Sequence, residues 1–160
     1  MTEPLVSETK IVVGVDGSDD SKVALRWAAR QAELTGAPLL AVMSWHVPAM
    51  SYGAAIPALN GYDFVSGAEQ VLADAVREVA EAHPSVTVST SVVEGYPAPA
   101  LLGAASEAAL LVVGSRGHGS FTGMLLGSVS EHCVTHALCP VVVVRSPPVS
   151  SSLSKPARSD

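Results

Sequence analysis

The feature that most limits the folds open to this chain is a set of short apolar runs that do not alternate. Ile11-Val12-Val13-Gly14-Val15, Leu39 to Ser44, Leu110-Leu111-Val112-Val113 and Val141 to Val144 are short and mostly β-branched or leucine. A strand with one wet face alternates apolar and polar residues, whereas a strand covered on both faces of a parallel sheet reads as one apolar block. Helical spacing fills the intervals. From Asp19 to Leu34 the residues Val23, Ala24, Trp27, Ala28, Ala32 and Leu34 recur at three and four, and Gly36-Ala37-Pro38 ends the pattern. Val65 to Ala82 is a second helix closed by His83-Pro84, Ala98 to Ala108 a third opened by Pro97 and Pro99, and a fourth begins near Ser128. Val86 to Val92 does alternate, which predicts a half-exposed edge strand. Strands and helices in this order imply right-handed crossovers and an α/β, doubly wound parallel sheet. In such a sheet ligands bind outside the carboxyl ends of the strands, where the winding direction reverses.

Composition narrows the partners. The 160 residues are 48% hydrophobic and 15% charged with a formal net charge of −6, the profile of a compact domain and a poor match for nucleic acid. No apolar run reaches the roughly 20 residues of a membrane span, and MTEPLVSETK lacks the basic start and apolar stretch of a signal peptide. A cytoplasmic chain without membrane contact is expected. One domain is predicted over 8–146, followed by a polar, Ser/Pro-rich, disordered tail over 147–160. Breakers at Pro48, Gly53, Pro57 and Gly61 predict a long loop, whose Met50, Tyr52, Tyr62 and Phe64 either lid a ligand or pack down.

The segment VGSRGHGSFTGMLLGSVS, residues 113–130, carries five glycines directly after the fourth predicted strand. A Walker A loop needs G-x-x-x-x-G-K-[ST], but Gly114 to Ser120 has no lysine. The dinucleotide pattern G-x-G-x-x-G fails at Thr122, three places after Gly119. Two meanings stay open: a turn with close packing, or a cradle in which glycines admit an anion to the backbone. The second is supported by Ser128-Val129-Ser130-Glu131, which has the S-x-x-E form of a capping box and marks a helix start facing the crevice. Arg116 and His118 lie in the same stretch and favour an anion. Asp16, Asp19 and Asp20 already compensate the dipole of the first helix, so phosphate would be repelled there unless a cation intervened. Asp16 is either an oxygen ligand for Mg²⁺ or a turn residue for that helix.

Gly114-x-x-Gly117, nine residues, then Gly127-Ser128 resembles the G-2x-G-9x-G-(S/T) nucleotide-binding signature of the universal stress protein family. The resemblance extends through IVVGVDGSDDSKVALRWA and LLVVGSRGHGSFTGMLLGSVSEHCVTHALCPVVVV. It implies a five-stranded sheet of order 3-2-1-4-5 with four helices, binding ATP in a stress-response regulator. It also implies where the ligand lies. Gly114, Ser115, Arg116, Gly117, His118, Gly119 and Ser120 correspond to the phosphate loop, and Gly127, Ser128, Val129 and Ser130 to the part reaching phosphates and ribose. Gly14, Val15 and Asp16 correspond to the end of strand one, with Asp16 facing Mg²⁺ and the phosphates. Backbone at Met43 and Ser44 corresponds to the adenine contact, and the last strand, Val141 to Val144, to the edge through which relatives form homodimers. Where many relatives carry an acidic residue just before strand four, this chain has Ala109.

Other constellations point to less. His132 and His136 share a helix face near Cys133 and Cys139, but without a further ligand pair at zinc-site spacing; the cysteines are expected to pack as small apolar groups. His83 marks a helix end, and His46 belongs to no legible triad. With no positioned base and no lysine, at most slow ATP hydrolysis is expected. The rival function is an ATP-pyrophosphatase or nucleotidyl-transfer enzyme using the loop GVDGSDDS, and a third is a receiver-like module phosphorylated on Asp16.

Overall fold

The computed structural model describes residues 9–47, 61–117, 123 and 125–147. The 48–60 part of the expected loop, the tail beyond 147, and His118, Gly119 and Ser120 lie outside the described residues. The elements follow in the order β1 (Ile11–Gly14), α1 (Asp19–Thr35), β2 (Leu39–Trp45), α2 (Gly61–Ala82), β3 (Val88–Glu94), α3 (Pro97–Ala104), β4 (Leu110–Gly114), α4 (Ser128–His136) and β5 (Val141–Val144). All five strands are parallel in the order β3-β2-β1-β4-β5.

The central strand explains the apolar blocks. Val12 pairs with Leu40 on one side and Leu111 on the other, and Leu111 pairs in turn with Val141. Successive residues of β1 enter opposite layers. Ile11, Val13 and Val15 pack with Ala24, Leu25, Ala28, Ala29 and Ala32 of α1 and with Leu72 and Val79 of α2. Val12 packs with Ala98, Leu101 and Ala105 of the α3 segment and Cys133 of α4. Both faces of β1 are therefore dry, and burying each such side chain stabilises the fold by about 2 kcal/mol. Cys133 is fully buried, which pushes its thiol up to about 11 and keeps it neutral and unreactive, as a small apolar residue should be.

The helices correct the sequence reading in detail. In α1 the buried stripe is Ser21, Ala24, Leu25, Ala28, Ala29 and Ala32. Leu34, expected on that stripe, is 71% exposed, because two residues past Ala32 is about 200° around a helix. Gly36 ends α1 at φ 74°, its N–H bonded to Ala32 C=O at 2.8 Å, as a left-handed cap requires. The α2 helix starts at Gly61 rather than Val65, and α3 stops at Ala104 rather than Ala108, its chain turning through Ala108 N–H to Ala105 C=O at 3.1 Å. The third strand begins two residues later than Val86, whose N–H closes a turn onto His83 C=O at 3.1 Å. It is an edge strand, as its alternation predicts.

Candidate functional site

The winding reverses between β1 and β4, and a cavity opens above their carboxyl ends, with a volume of about 340 Å³. The end of β1 supplies Gly14, Val15 and Asp16; the end of β4 supplies Gly114, Arg116 and Gly117; and α4 supplies Gly127, Ser128, Val129 and Ser130. These segments are remote in sequence and meet only because β4 crosses back to pair with β1.

Three of the glycines are fixed by close approach. A Cβ on Gly14 would lie 2.9 Å from Leu101 Cδ1, and one on Gly114 would lie 3.0 Å from the backbone carbon of Asp20. At Gly117 a Cβ would come within 2.5 Å of Asp16 Oδ2. The β4 loop thus runs against the β1 loop with no room for a side chain, which brings Asp16 and the backbone of Gly117 to the same cavity wall.

The start of α4 corrects the expected capping box. Gly127, not Ser128, is the N-cap, and no side chain caps the helix. The Gly127 N–H is already bonded to Ser115 C=O at 2.7 Å, while its own carbonyl receives Glu131 N–H at 3.0 Å. The pattern Ser128 to Glu131 is therefore one residue out of frame for a box, and Ser128 is the first helical residue. The early amides of α4 have no partners within the helix, and the residues that carry them line the cavity, the arrangement that suits an anion. Ser130 is buried, and its hydroxyl donates to Ser115 C=O at 3.0 Å and Gly127 C=O at 2.9 Å, tying the helix to the β4 loop.

Asp16 serves the turn and borders the cavity at once. Its Oδ1 accepts from the Ser18 N–H at 2.9 Å and from the Ser18 hydroxyl. Ser18 caps α1 by accepting from Ser21 N–H at 3.2 Å. A single carboxylate of this kind fits a Mg²⁺ ion held chiefly by phosphate oxygens and water. It does not make a self-standing metal centre: among the described residues no group of three His, Cys, Asp or Glu side chains could hold a metal ion. His132 and His136 instead stack at 4.3 Å, with Cys133 turned into the core.

Over residues 8–145 the chain matches the model of the universal stress protein family. The chain belongs to that family. It is 37% identical over 142 residues to universal stress protein Rv2623 of Mycobacterium tuberculosis, a match covering 89% of this chain and 47% of that protein. It is 39% identical over 138 residues to universal stress protein Rv2005c of the same organism, covering 84% and 45%. The chain spans about half the length of the curated relatives it matches. Among solved structures it resembles universal stress protein UspA from Lactobacillus plantarum, with a TM-score of 0.72 at 27% identity over 86% of this chain and 98% of that one. A universal stress protein solved in complex with cAMP aligns with a TM-score of 0.64 at 29% identity, over 87% and 98%.

Within this universal stress protein fold, one expected site residue, Ser115, lies off the cavity wall. Met43, expected to contact the ligand through its backbone, packs its side chain among the α1 and α2 residues, while its neighbours Val42 and Ser44 border the cavity. Ser115 is buried beneath the loop, its hydroxyl donating to Asp20 Oδ2 at 3.1 Å. Several residues that the motif does not mark also border the cavity: Ser21, Val42, His46, Pro97, Ala100, Leu101 and Val113. The strand period of two was the available signal for Val42 and His46, once Ser44 had been placed.

Asp20 is the largest omission. Its Oδ2 accepts from Ser115 Oγ and, at 3.2 Å, from the Arg116 N–H, and lies 3.8 Å from Arg116 Nε. Its Oδ1 accepts from the Ser146 hydroxyl, just beyond β5. One carboxylate at the start of α1 thus holds the β4 loop and the exit of β5 together. Asp20→Ala is expected to cost about 2 kcal/mol in urea denaturation, since it leaves several donors without their acceptor. A loss below about 0.5 kcal/mol would show that the contacts are incidental.

Proposed function

We propose that this chain binds ATP together with Mg²⁺ in the β1/β4 cavity and acts in the stress response as a nucleotide-dependent regulator, with slow hydrolysis or none. The observation that carries this reading is the joining of an anion-favouring end and an apolar end in one cavity. At the first end stand the uncapped α4 start, the glycine-lined β4 loop and Arg116; at the second stand Val42, Pro97, Ala100 and Leu101. Polar groups at one end and apolar walls at the other suit a nucleotide, and the volume suits a small-molecule site. The relative in complex with cAMP supports an adenine nucleotide as the ligand class.

In this reading Gly114, Gly117, Gly127 and Ser128 cradle the phosphates, and Arg116 adds positive charge to them. Asp16 faces the cation that the phosphates carry. Among the described lining residues there is no lysine, and the one carboxylate is Asp16, whose Oδ1 is engaged by Ser18. This supports retention of ATP over rapid turnover. The loop GVDGSDDS, which a pyrophosphatase would use for phosphates, instead uses its Ser18 hydroxyl in capping α1.

Isothermal titration of the full chain with ATP in the presence and absence of Mg²⁺ tests the proposal. Wild type is expected to bind ATP, more tightly with Mg²⁺. Ala100→Trp, which fills the apolar end from a half-buried helix position, is expected to weaken binding by at least about tenfold with little change in the thermal melt. Absence of binding by wild type would refute the reading, and so would an Ala100→Trp variant that binds as wild type does.

The proposed partner is a second copy of the chain. The strand β5 is at the sheet edge and half-exposed, and among the described residues its outer side pairs with no strand, so that four valines offer a template for another. Sedimentation equilibrium is expected to give twice the chain mass, and a monomer at all concentrations would contradict a homodimer.

A further inference from the structure

We infer that His46 is the base-contacting residue of the cavity and that Tyr96 is a positioning residue packed against it, the two together favouring purine over pyrimidine nucleotides. The inference rests on the nucleotide reading proposed above.

Val42 and Ser44 of β2 and His46, one residue past its end, border the cavity at a period of two, while Met43 packs on the opposite face. His46 stands at the end of this row. Its strand is two places from β4 in the sheet, roughly 10 Å away, so it belongs to the end of the cavity remote from the phosphate cradle. Pro97, Ala100 and Leu101 line the same cavity, without charge. A flat ring in a cavity with aliphatic walls suits a flat, weakly polar group.

The imidazole is backed by a second ring. His46 and Tyr96 have ring centroids 4.9 Å apart with an interplanar angle of 40°. Tyr96 is 68% exposed, and among the described residues no hydrogen bond holds either ring. The backbone holds the pair instead. Trp45 pairs with Glu94 in the β2–β3 register, and Gly95 N–H donates to Trp45 C=O at 2.8 Å. Gly95 has φ 131°, a conformation that glycine alone tolerates readily, and it turns the chain so that Tyr96 becomes the N-cap of α3. Pro97 follows in the first turn, and Tyr96 C=O accepts from Ala100 N–H at 3.2 Å. The same turn therefore sets the Tyr96 ring, the Pro97 and Ala100 walls and, through Trp45, the end of β2 that carries His46.

Base stacking on an aromatic side chain is governed by overlapping area, so a two-ring purine gains more than a pyrimidine. The phosphate end offers no such discrimination, because it reads charge and backbone geometry.

The test is calorimetric titration of the full chain with ATP, CTP and inorganic tripolyphosphate, each with Mg²⁺. Wild type is expected to prefer ATP over CTP by about tenfold. His46→Ala is expected to lose about tenfold in ATP affinity and most of the ATP/CTP preference, with tripolyphosphate affinity unchanged. His46→Phe is expected to restore the preference. Tyr96→Ala is expected to reduce the preference by a smaller factor, and Tyr96→Phe to retain it. If wild type binds ATP and His46→Ala keeps the wild-type ATP/CTP ratio, or loses tripolyphosphate as strongly as ATP, the role of His46 is overturned and nucleotide binding stands. If wild type binds neither ATP nor tripolyphosphate, the nucleotide reading falls and the role of His46 with it.

Discussion

The pairing of β1 with strands on both sides is the constraint on which the site depends. Because β4 returns to the free edge of β1 instead of extending the sheet beyond β3, α1 and α2 cover one face and α3 and α4 the other. At the return point the loops after β1 and β4 leave the sheet toward helices on opposite faces, and a crevice opens between them. Val12, Val13, Leu111 and Val112 are fully buried beneath it. They form the packed floor from which the loops carrying Asp16 and Gly117 rise.

Above that floor the site is held by hydrogen bonds between segments distant in sequence. Ser115 connects three of them: its hydroxyl donates to Asp20, its N–H to Val144 C=O at 2.9 Å, and its carbonyl accepts from Gly127 N–H and Ser130 Oγ. Asp20 joins the same network to Arg116 and Ser146. The glycine-rich segment therefore has two kinds of residue. Gly114 and Gly117 keep side chains out of a tight contact, while Ser115 and Ser130 fix the loop from below. The cavity and the edge strand β5 share this network through Ser146 and Val144.

Much of this was legible in the chain, and the failures have physical causes. The unalternating blocks at Ile11 and Leu110 identify strands covered on both faces, whereas the equally unalternating block at Val141 is a half-exposed edge strand, because burial at an edge is set by what lies beside it. The spacing of Gly114, Gly117 and Gly127 locates the crevice, and the family resemblance supplies the strand order. Such a block, however, carries no phase. An unalternating strand does not reveal which residues face which layer, so the side chains of Val42 and His46 on the cavity were not legible. Asp20 is legible as a first-turn carboxylate but not as a tie, because its partners Ser115 and Ser146 are 95 and 126 positions away and only the fold brings them together. The S-x-x-E pattern at Ser128 marks the correct helix end but the wrong cap, since Ser115 had already taken the Gly127 N–H. His46 and Tyr96, separated by the whole of α2 and β3, meet only through strand register.

The most direct measurement of the central claim is an amide-resolved nuclear magnetic resonance titration of the isotope-labelled chain with Mg²⁺-ATP. The account predicts that the largest shifts fall on Gly114 to Gly117 and Gly127 to Ser130, with a second group at Val42 to His46. A second cavity of about 280 Å³, lined by Glu33, Gly36, Ala37, Pro38, Ser85 and Thr87 among others, lies at the opposite ends of β2 and β3 and serves as the internal comparison. Shifts concentrated there, or none at the β1/β4 crevice with saturating nucleotide, would contradict the account.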